Sequence, residues 1–298
     1  MNSIFLKCAV ISAALLAPAT SFAQVSCTRE GLDAATKLFI AAQTKGDTSG
    51  MPLAMGVGYY EDMKLIPIDT GLIKKPMKID FHRSLLDTAT CQTFTEYIVT
   101  KDPEAYVNGA RLRVNHDKIV EIELITTKVG YWLFSADNYM KWSPNEDWGT
   151  IPAAKRDTRN TLEAAANAYL DAFLEQKKDM VPWGYPCNRT EGGMRTGTGI
   201  ATDSCDVGVP AGVNIQGRRF IVDETIGAVQ VFCTFGAGGV GGSGAPDSHL
   251  FRLIDGKLRM VHTLTHLLQA AGPGRGAGAA KGAPGGPGAA KGGPAPGK

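Results

Sequence analysis

The sequence predicts an α+β fold built twice in tandem, each copy an N-terminal helix packed on a curved antiparallel sheet. Three observations carry this. Helical periodicity at Arg29–Lys45 precedes alternating apolar segments that close on Asp117-Lys118-Ile119-Val120-Glu121-Ile122-Glu123. The same order returns, with helical periodicity over 157–176 and strands closing on Asp255-Gly256-Lys257-Leu258-Arg259-Met260-Val261-His262. Cys91-Gln92-Thr93-Phe94 also has a counterpart in Val229-Gln230-Val231-Phe232, so the repeat is of domain length and lies far above a solenoid period.

In chain order, Lys7, the apolar run 8–17 and Ser21-Phe22-Ala23 before Gln24 have the three regions of a secretory signal peptide. Residues 1–23 are therefore expected to be a removable leader and the protein periplasmic or secreted. The run is too short for an integral membrane segment. The first unit is assigned to 24–152. Its helix buries Leu32, Ala35, Phe39 and Ala42, and its strands are placed at 77–83, 92–100, 110–114 and 118–128. Residues 131–155, rich in Trp, Asn, Asp and Pro, read as a packed linker. The second unit, 153–271, has Leu162, Ala166, Tyr169 and Phe173 on its helix face and strands at 218–222, 228–235, 249–254 and 257–266. From 272 to 298 the chain is almost wholly Gly, Ala, Pro and Lys, and is expected to be a disordered tail.

A hydrophobic content of 44% with 20% charged residues is that of a globular protein. Setting aside Lys7 and four tail cations leaves 26 of the 31 basic residues against 29 acidic ones, about −3, so no basic patch speaks for nucleic acid. Export permits disulfides. Cys187 and Cys205 bracket a Gly-rich loop, Cys27 and Cys91 would tie the first helix to a first-unit strand, and Cys233 reads as a small buried hydrophobe.

The segments Asn160-Thr161-Leu162-Glu163-Ala164-Ala165-Ala166-Asn167-Ala168-Tyr169-Leu170-Asp171-Ala172-Phe173, Cys187-Asn188-Arg189-Thr190-Glu191-Gly192-Gly193 and Asp247-Ser248-His249-Leu250-Phe251-Arg252 resemble the nuclear-transport-factor-2-like (SnoaL-like) family. The resemblance implies a cone with a pocket between helix and concave sheet. That fold hosts cofactor-free dehydratases, isomerases, cyclases and binding modules. The exported two-copy form also looks like secreted relatives that include sphingomonad lyases of lignin-derived aromatic dimers, which release formaldehyde without metal or redox cofactor. None of their catalytic residues is carried over.

Of the five histidines, His262 shares a strand face with Leu258, Met260 and Leu264, while His249 alternates with Phe251 and Leu253. Either would serve as acid or base near neutral pH, or be a satisfied core histidine. Asp223, Glu224 and Asp247 are candidate orienting carboxylates. Arg189, Arg218, Arg219 and Arg252 are candidate anion binders, each also a candidate salt bridge. Tyr59 and Tyr60 in the first copy, and Trp183 and Tyr185 in a loop beside Cys187 in the second, are candidate ring-stacking walls, with Tyr169 and Phe251 behind them. Gly236 to Gly241 reads as a flexible loop able to act as a lid, and Asn188-Arg189-Thr190 as a glycosylation sequon by pattern only. His262 and His266 lack a third ligand, so no metal is assigned.

Together with the resemblance, which alone supplies the lyase class and the lignin-type substrate, these features imply a cofactor-free lyase acting by proton transfer on a small aromatic compound. Its expected catalytic residues are His262, His249, Tyr59, Arg189 and Asp223, with Trp183, Tyr185, Tyr169 and Phe251 on the substrate. The alternative is a periplasmic binding protein for the same ligand class; assembly as a homo-oligomer is left open.

Overall fold

The computed structural model describes residues 24–206, 209–236 and 244–268. The expected leader, the tail and most of the Gly-rich 236–241 loop lie outside them. Helix α1 (Arg29–Lys45) is capped by Thr28, whose Oγ1 accepts from Gly31 N at 3.1 Å, and stops at Gly46 with φ 66°. A side chain at Gly46 would meet Lys74 O at 2.7 Å, so glycine is needed there for space as well as for φ. Helix α3 (Arg159–Glu175) repeats this with Thr158 as N-cap.

After α1 come β1 (Leu53–Glu61), β2 (Lys64–Leu65), β3 (Phe81–Asp87), β4 (Gln92–Val99), β5 (Tyr106–Asn115) and β6 (Lys118–Lys128). After α3 come β7 (Trp183–Glu191), β8 (Met194–Arg195), β9 (Ile215–Asp223), β10 (Ala228–Phe235), β11 (Ala245–Ile254) and β12 (Lys257–Thr265). The sheet orders β2-β1-β6-β5-β4-β3 and β8-β7-β12-β11-β10-β9 are the same topology twice. The sheets are mixed, not antiparallel as expected, because β1 lies parallel to β6 and β7 parallel to β12. These parallel strands had no strand signal in the sequence. Gly56, Gly58, Gly184 and Pro186 interrupt their alternation, and register shifts at Leu53/Gly58 and Leu258/Met260 break the ladders. The linker holds helix α2 (Ala136–Trp142).

Each helix covers one face of its own sheet. Phe39, Leu32 and Ala35 meet Tyr97, Val99 and Ile122, while Tyr169, Leu162 and Phe173 meet Val229, Phe251 and Val261. The opposite faces pack on each other through Leu85, Phe94, Ile125, Ile221, Phe232 and Leu250, with Phe94 edge-on to Phe232 at 5.9 Å. The disulfides Cys27–Cys91 and Cys187–Cys205 form as expected. The latter closes a separation of 18 residues, worth about 3 kcal/mol in the chain-entropy model. Two disulfides fit an oxidising compartment. Among the described residues no helix is long and apolar enough to cross a membrane.

The outer edges β3 and β9 are joined by ion pairs that cross between units. Arg29, opening α1, grips Asp223 at the end of β9 with contacts of 2.8 and 3.1 Å, and Arg159, opening α3, pairs with Asp87 at the end of β3. Each carboxylate also accepts a backbone N–H from the other unit's edge: Leu86 N to Asp223 at 3.0 Å and Val222 N to Asp87 at 2.9 Å. Asp223 therefore holds the units together and orients no catalytic group, contrary to its expected role.

Removing either carboxylate strands a buried N–H and takes a charge partner from a partly solvated arginine, Arg159 keeping Glu163 at 3.0 Å. Asp87→Ala and Asp223→Ala should each cost about 2 kcal/mol in urea unfolding. Asp33→Ala, which removes an exposed pair with Lys37, should stay within about 0.5 kcal/mol.

Candidate active site

The residues expected to form one site separate into five places. The largest convergence is inside the second unit, beneath α3. Tyr169, on the inward face of α3, has its ring centroid 5.1 Å from Phe251, 5.8 Å from His249 and 5.9 Å from Trp183. Phe173, one turn on, stands edge-on to His249 at 5.9 Å. Strand alternation on β11 puts Asp247, His249 and Phe251 on this face, and His249 stacks on Phe251. His249 Nδ1 lies 3.1 Å from Asp247 Oδ2, and Thr265 Oγ1 donates to Asp247 Oδ1 at 2.9 Å.

Arg189 of β7 enters the same interior, paired with Glu191 and within electrostatic reach of Tyr169 and Asp247. Burial pushes the Tyr169 hydroxyl up to about 12 against the pull of Arg189, and this hydroxyl makes no hydrogen bond among the described residues. Cys233 of β10 lies opposite Asp247 in the ladder; burial raises its thiol well above the ordinary value, so it is no resting nucleophile.

Trp183 and Tyr185 do not sit in a loop. They belong to β7, where Trp183 packs inward and donates Nε1–H to Lys178 O at 2.7 Å, while Tyr185 is 57% exposed and away from the other rings. The Asn188 sequon is also in β7, with Thr190 fully buried, so the folded chain offers it to no glycosyltransferase.

Tyr59 lies in the interior of the first unit. Its hydroxyl donates to Glu61 Oε1 at 2.6 Å and accepts from Ile73 N at 3.1 Å, pinning the 72–74 turn as a plug. A Cβ on Gly71 would come within 2.2 Å of the Tyr59 ring, which shows how closely this plug fits.

His262 does not share a face with Leu258, because the β7–β12 ladder shifts register between Leu258 and Met260. Leu258 faces α3, whereas His262 turns into the space between the sheets. Its Nδ1 faces both Glu96 oxygens at 3.2 and 3.0 Å, and Nε2 stands 2.8 Å from Glu146 Oε2. The second approach is a charge contact whose angle falls short of a hydrogen bond. Arg83 completes a buried quartet, 3.5 Å from Glu96 and 3.6 Å from Glu146, with its guanidinium 4.3 Å from the Trp148 ring. Tyr139 and Trp148 enclose the imidazole edge-on at 5.6 Å each. Burial alone would lower the His262 pKa, but Glu146 and Glu96 outweigh it and raise it from 6.5 to about 9. Glu146, pulled down by His262 and Arg83 against its own burial, falls to about 2. With both nitrogens committed, His262 is an interface cation.

Glu96, Glu146 and Arg83 carried no sequence signal, since two lie on strands of the other unit and one in the linker. His249 and Phe251 were legible as a two-residue alternation, whereas Asp247 stood only among three candidate carboxylates. Grooves beside α1 (Ala34, Leu38, Met51, Pro52) and α3 (Ala164, Ala168, Met180, Pro182) open at matching ends of the units, and neither is lined by the His249 or His262 groups.

A family model described as Domain of unknown function (DUF8021) matches residues 155–265, the second helix-and-sheet unit. No curated protein is similar to the chain in sequence. Among solved structures, an NTF2-like protein of unknown function from Cytophaga hutchinsonii aligns over 37% of this chain and 93% of its own at 9% identity, TM-score 0.29. A candidate ketosteroid isomerase from Kribbella flavida covers 40% and 87% at 15% identity, TM-score 0.30. An NTF2-like protein of unknown function from Burkholderia xenovorans covers 38% and 89% at 13% identity, TM-score 0.27.

A raised folded-state pKa at His262 means that its contribution is complete below its ordinary 6.5 and is lost as pH climbs through about 9. Unfolding midpoints in urea should fall over that window, and His262→Gln should flatten the fall. Glu146 should add a second loss as pH drops from 4.5 towards 2.

Proposed function

We propose that the second unit's interior carries out cofactor-independent proton transfer on a small, largely apolar aromatic compound, in a protein exported by its first 23 residues. The observation that carries this reading is the Asp247–His249 pair, 3.1 Å apart and set among the rings of Tyr169, Phe173 and Phe251. The carboxylate beside Nδ1, a charge contact at 3.1 Å, favours a proton on that nitrogen and leaves Nε2 as the proton acceptor. Arg189 and the Tyr169 hydroxyl are the groups on hand to steady a developing oxyanion. Trp183 and Phe251 extend the apolar wall.

The reaction class is elimination with carbon–carbon cleavage on a para-hydroxyaryl substrate of the lignin-derived diaryl type. Removal of the phenolic proton as the benzylic hydroxyl leaves as water gives a quinone methide. That quinone methide takes the electron pair of the adjacent carbon–carbon bond as a hydroxymethyl group, losing its own hydroxyl proton, departs as formaldehyde. The products are a stilbene, formaldehyde and water, and no external oxidant or reductant is needed.

Purified protein incubated with a panel of diaryl propanoids, without added metal or nucleotide, should release formaldehyde and gain stilbene absorbance. His249→Ala and Asp247→Asn should lower kcat by roughly 10²- to 10⁴-fold. His262→Gln should leave kcat near pH 7 within a few fold. Ligand retention without product, in wild-type protein, would replace the enzyme by a binding protein for the same compounds.

A further inference from the structure

The second unit's interior holds a donor set in which Cys233, unused by the acid–base reading, joins the Asp247–His249 pair. Cys233 Sγ lies 3.8 Å from His249 Nδ1 and 3.8 Å from Asp247 Oδ2, and those two are 3.1 Å apart. All three residues are buried, at 0 to 2% exposure. They come from adjacent antiparallel strands, with Cys233 paired to Asp247 and His249 two residues further along the same face. Their spacing is thus set by the β10–β11 ladder, a firmer support than a loop.

We propose that Cys233, Asp247 and His249 bind a thiophilic divalent cation of the zinc type. Bond lengths of about 2.0–2.1 Å to nitrogen and oxygen and about 2.3 Å to sulfur require tetrahedral edges of about 3.3 Å between N and O and about 3.5 Å to S. The observed triangle meets these to within about 0.3 Å, a small side-chain adjustment. Thiolate, imidazole and carboxylate together favour zinc-like ions over calcium or magnesium, which take oxygen alone. A dication bound by one thiolate and one carboxylate is neutral as a whole, as a water-poor interior demands. The second Asp247 oxygen is already held by Thr265, the outer support that metal-binding carboxylates use. Three protein ligands leave a fourth position open.

The cation and the proton-transfer role exclude each other, because the metal takes His249 Nδ1 and Asp247 away from orienting the imidazole. The proposal is an alternative use of the same Asp247–His249 pair, extended by Cys233, and does not depend on the reaction proposed above. Titration of chelator-stripped, full-length protein with cobalt(II) tests it without any substrate. Wild type should develop a thiolate-to-cobalt charge-transfer band and the intense visible bands of tetrahedral cobalt, saturating at one equivalent and bleached by zinc. Cys233→Ser should lose the charge-transfer band. Thr265→Val, which keeps all three ligands, should weaken cobalt binding by roughly 10- to 100-fold. Zinc should raise the melting temperature of wild type and leave that of Cys233→Ser unchanged. A weak octahedral spectrum in wild type, or a charge-transfer band surviving in Cys233→Ser, would overturn the site. Absence of turnover on the aromatic panel leaves the cobalt result intact, and absence of cobalt binding leaves the turnover result intact.

Discussion

A six-stranded sheet with a helix on one face still has a second apolar face to hide, and the duplicated chain hides it against its own copy. Leu85, Phe94 and Ile125 of one sheet meet Ile221, Phe232 and Leu250 of the other. Everything between the units follows from that contact. Edges β3 and β9 come close enough that their backbone donors must be satisfied from outside their own sheets, and Asp223 and Asp87 supply the acceptors. The arginines that open α1 and α3 then neutralise the carboxylates of the opposite unit. The result has the logic of a two-fold dimer interface, each copy giving the same residue and receiving the same residue.

The symmetry breaks at one strand position. Glu123 is the sixth residue of β6 and His262 the sixth of β12. Glu123 pairs with Arg219 across the interface through contacts of 2.5 and 2.6 Å, a closed arginine–carboxylate fork. His262 cannot do this for the matching Arg83, so two cations would face each other in a buried space. Glu96 from β4 and Glu146 from the linker restore the balance, and the linker is drawn into the core as a consequence.

The two interiors have diverged in a second way. In the first unit Tyr59 is tied to Glu61 and Ile73, and its polar groups are consumed in holding the plug. In the second, the rings around His249 enclose a histidine beside a carboxylate, a thiol, and a tyrosine hydroxyl that makes no hydrogen bond among the described residues, close to a charged arginine. Titratable side chains therefore gather inside the second unit, while the first contributes Glu96 and Arg83 to the wall between them.

Helices α1 and α3, most of the antiparallel strands, the tandem repeat and the disulfide partners were legible in the sequence, because each rests on local periodicity or on spacing within one unit, whereas α2 lay hidden in what reads as linker. The alternation of His249 with Phe251 was legible for the same reason, and the pairing of Asp247 with His249 was not singled out from Asp223 and Glu224. The parallel strands β1 and β7 were hidden by glycine, proline and a shift in register, since a parallel strand pairs with residues far along the chain and leaves little local trace. The fate of His262 was hidden more deeply. A single register shift moved it to the other face of its sheet, and its partners Glu96 and Glu146 are 166 and 116 residues away in the chain. The sequence by itself determined which units form and which residues each could offer. Tertiary structure alone decided which of those residues meet, because buried charges are matched across the contact between two sheets and not along either one.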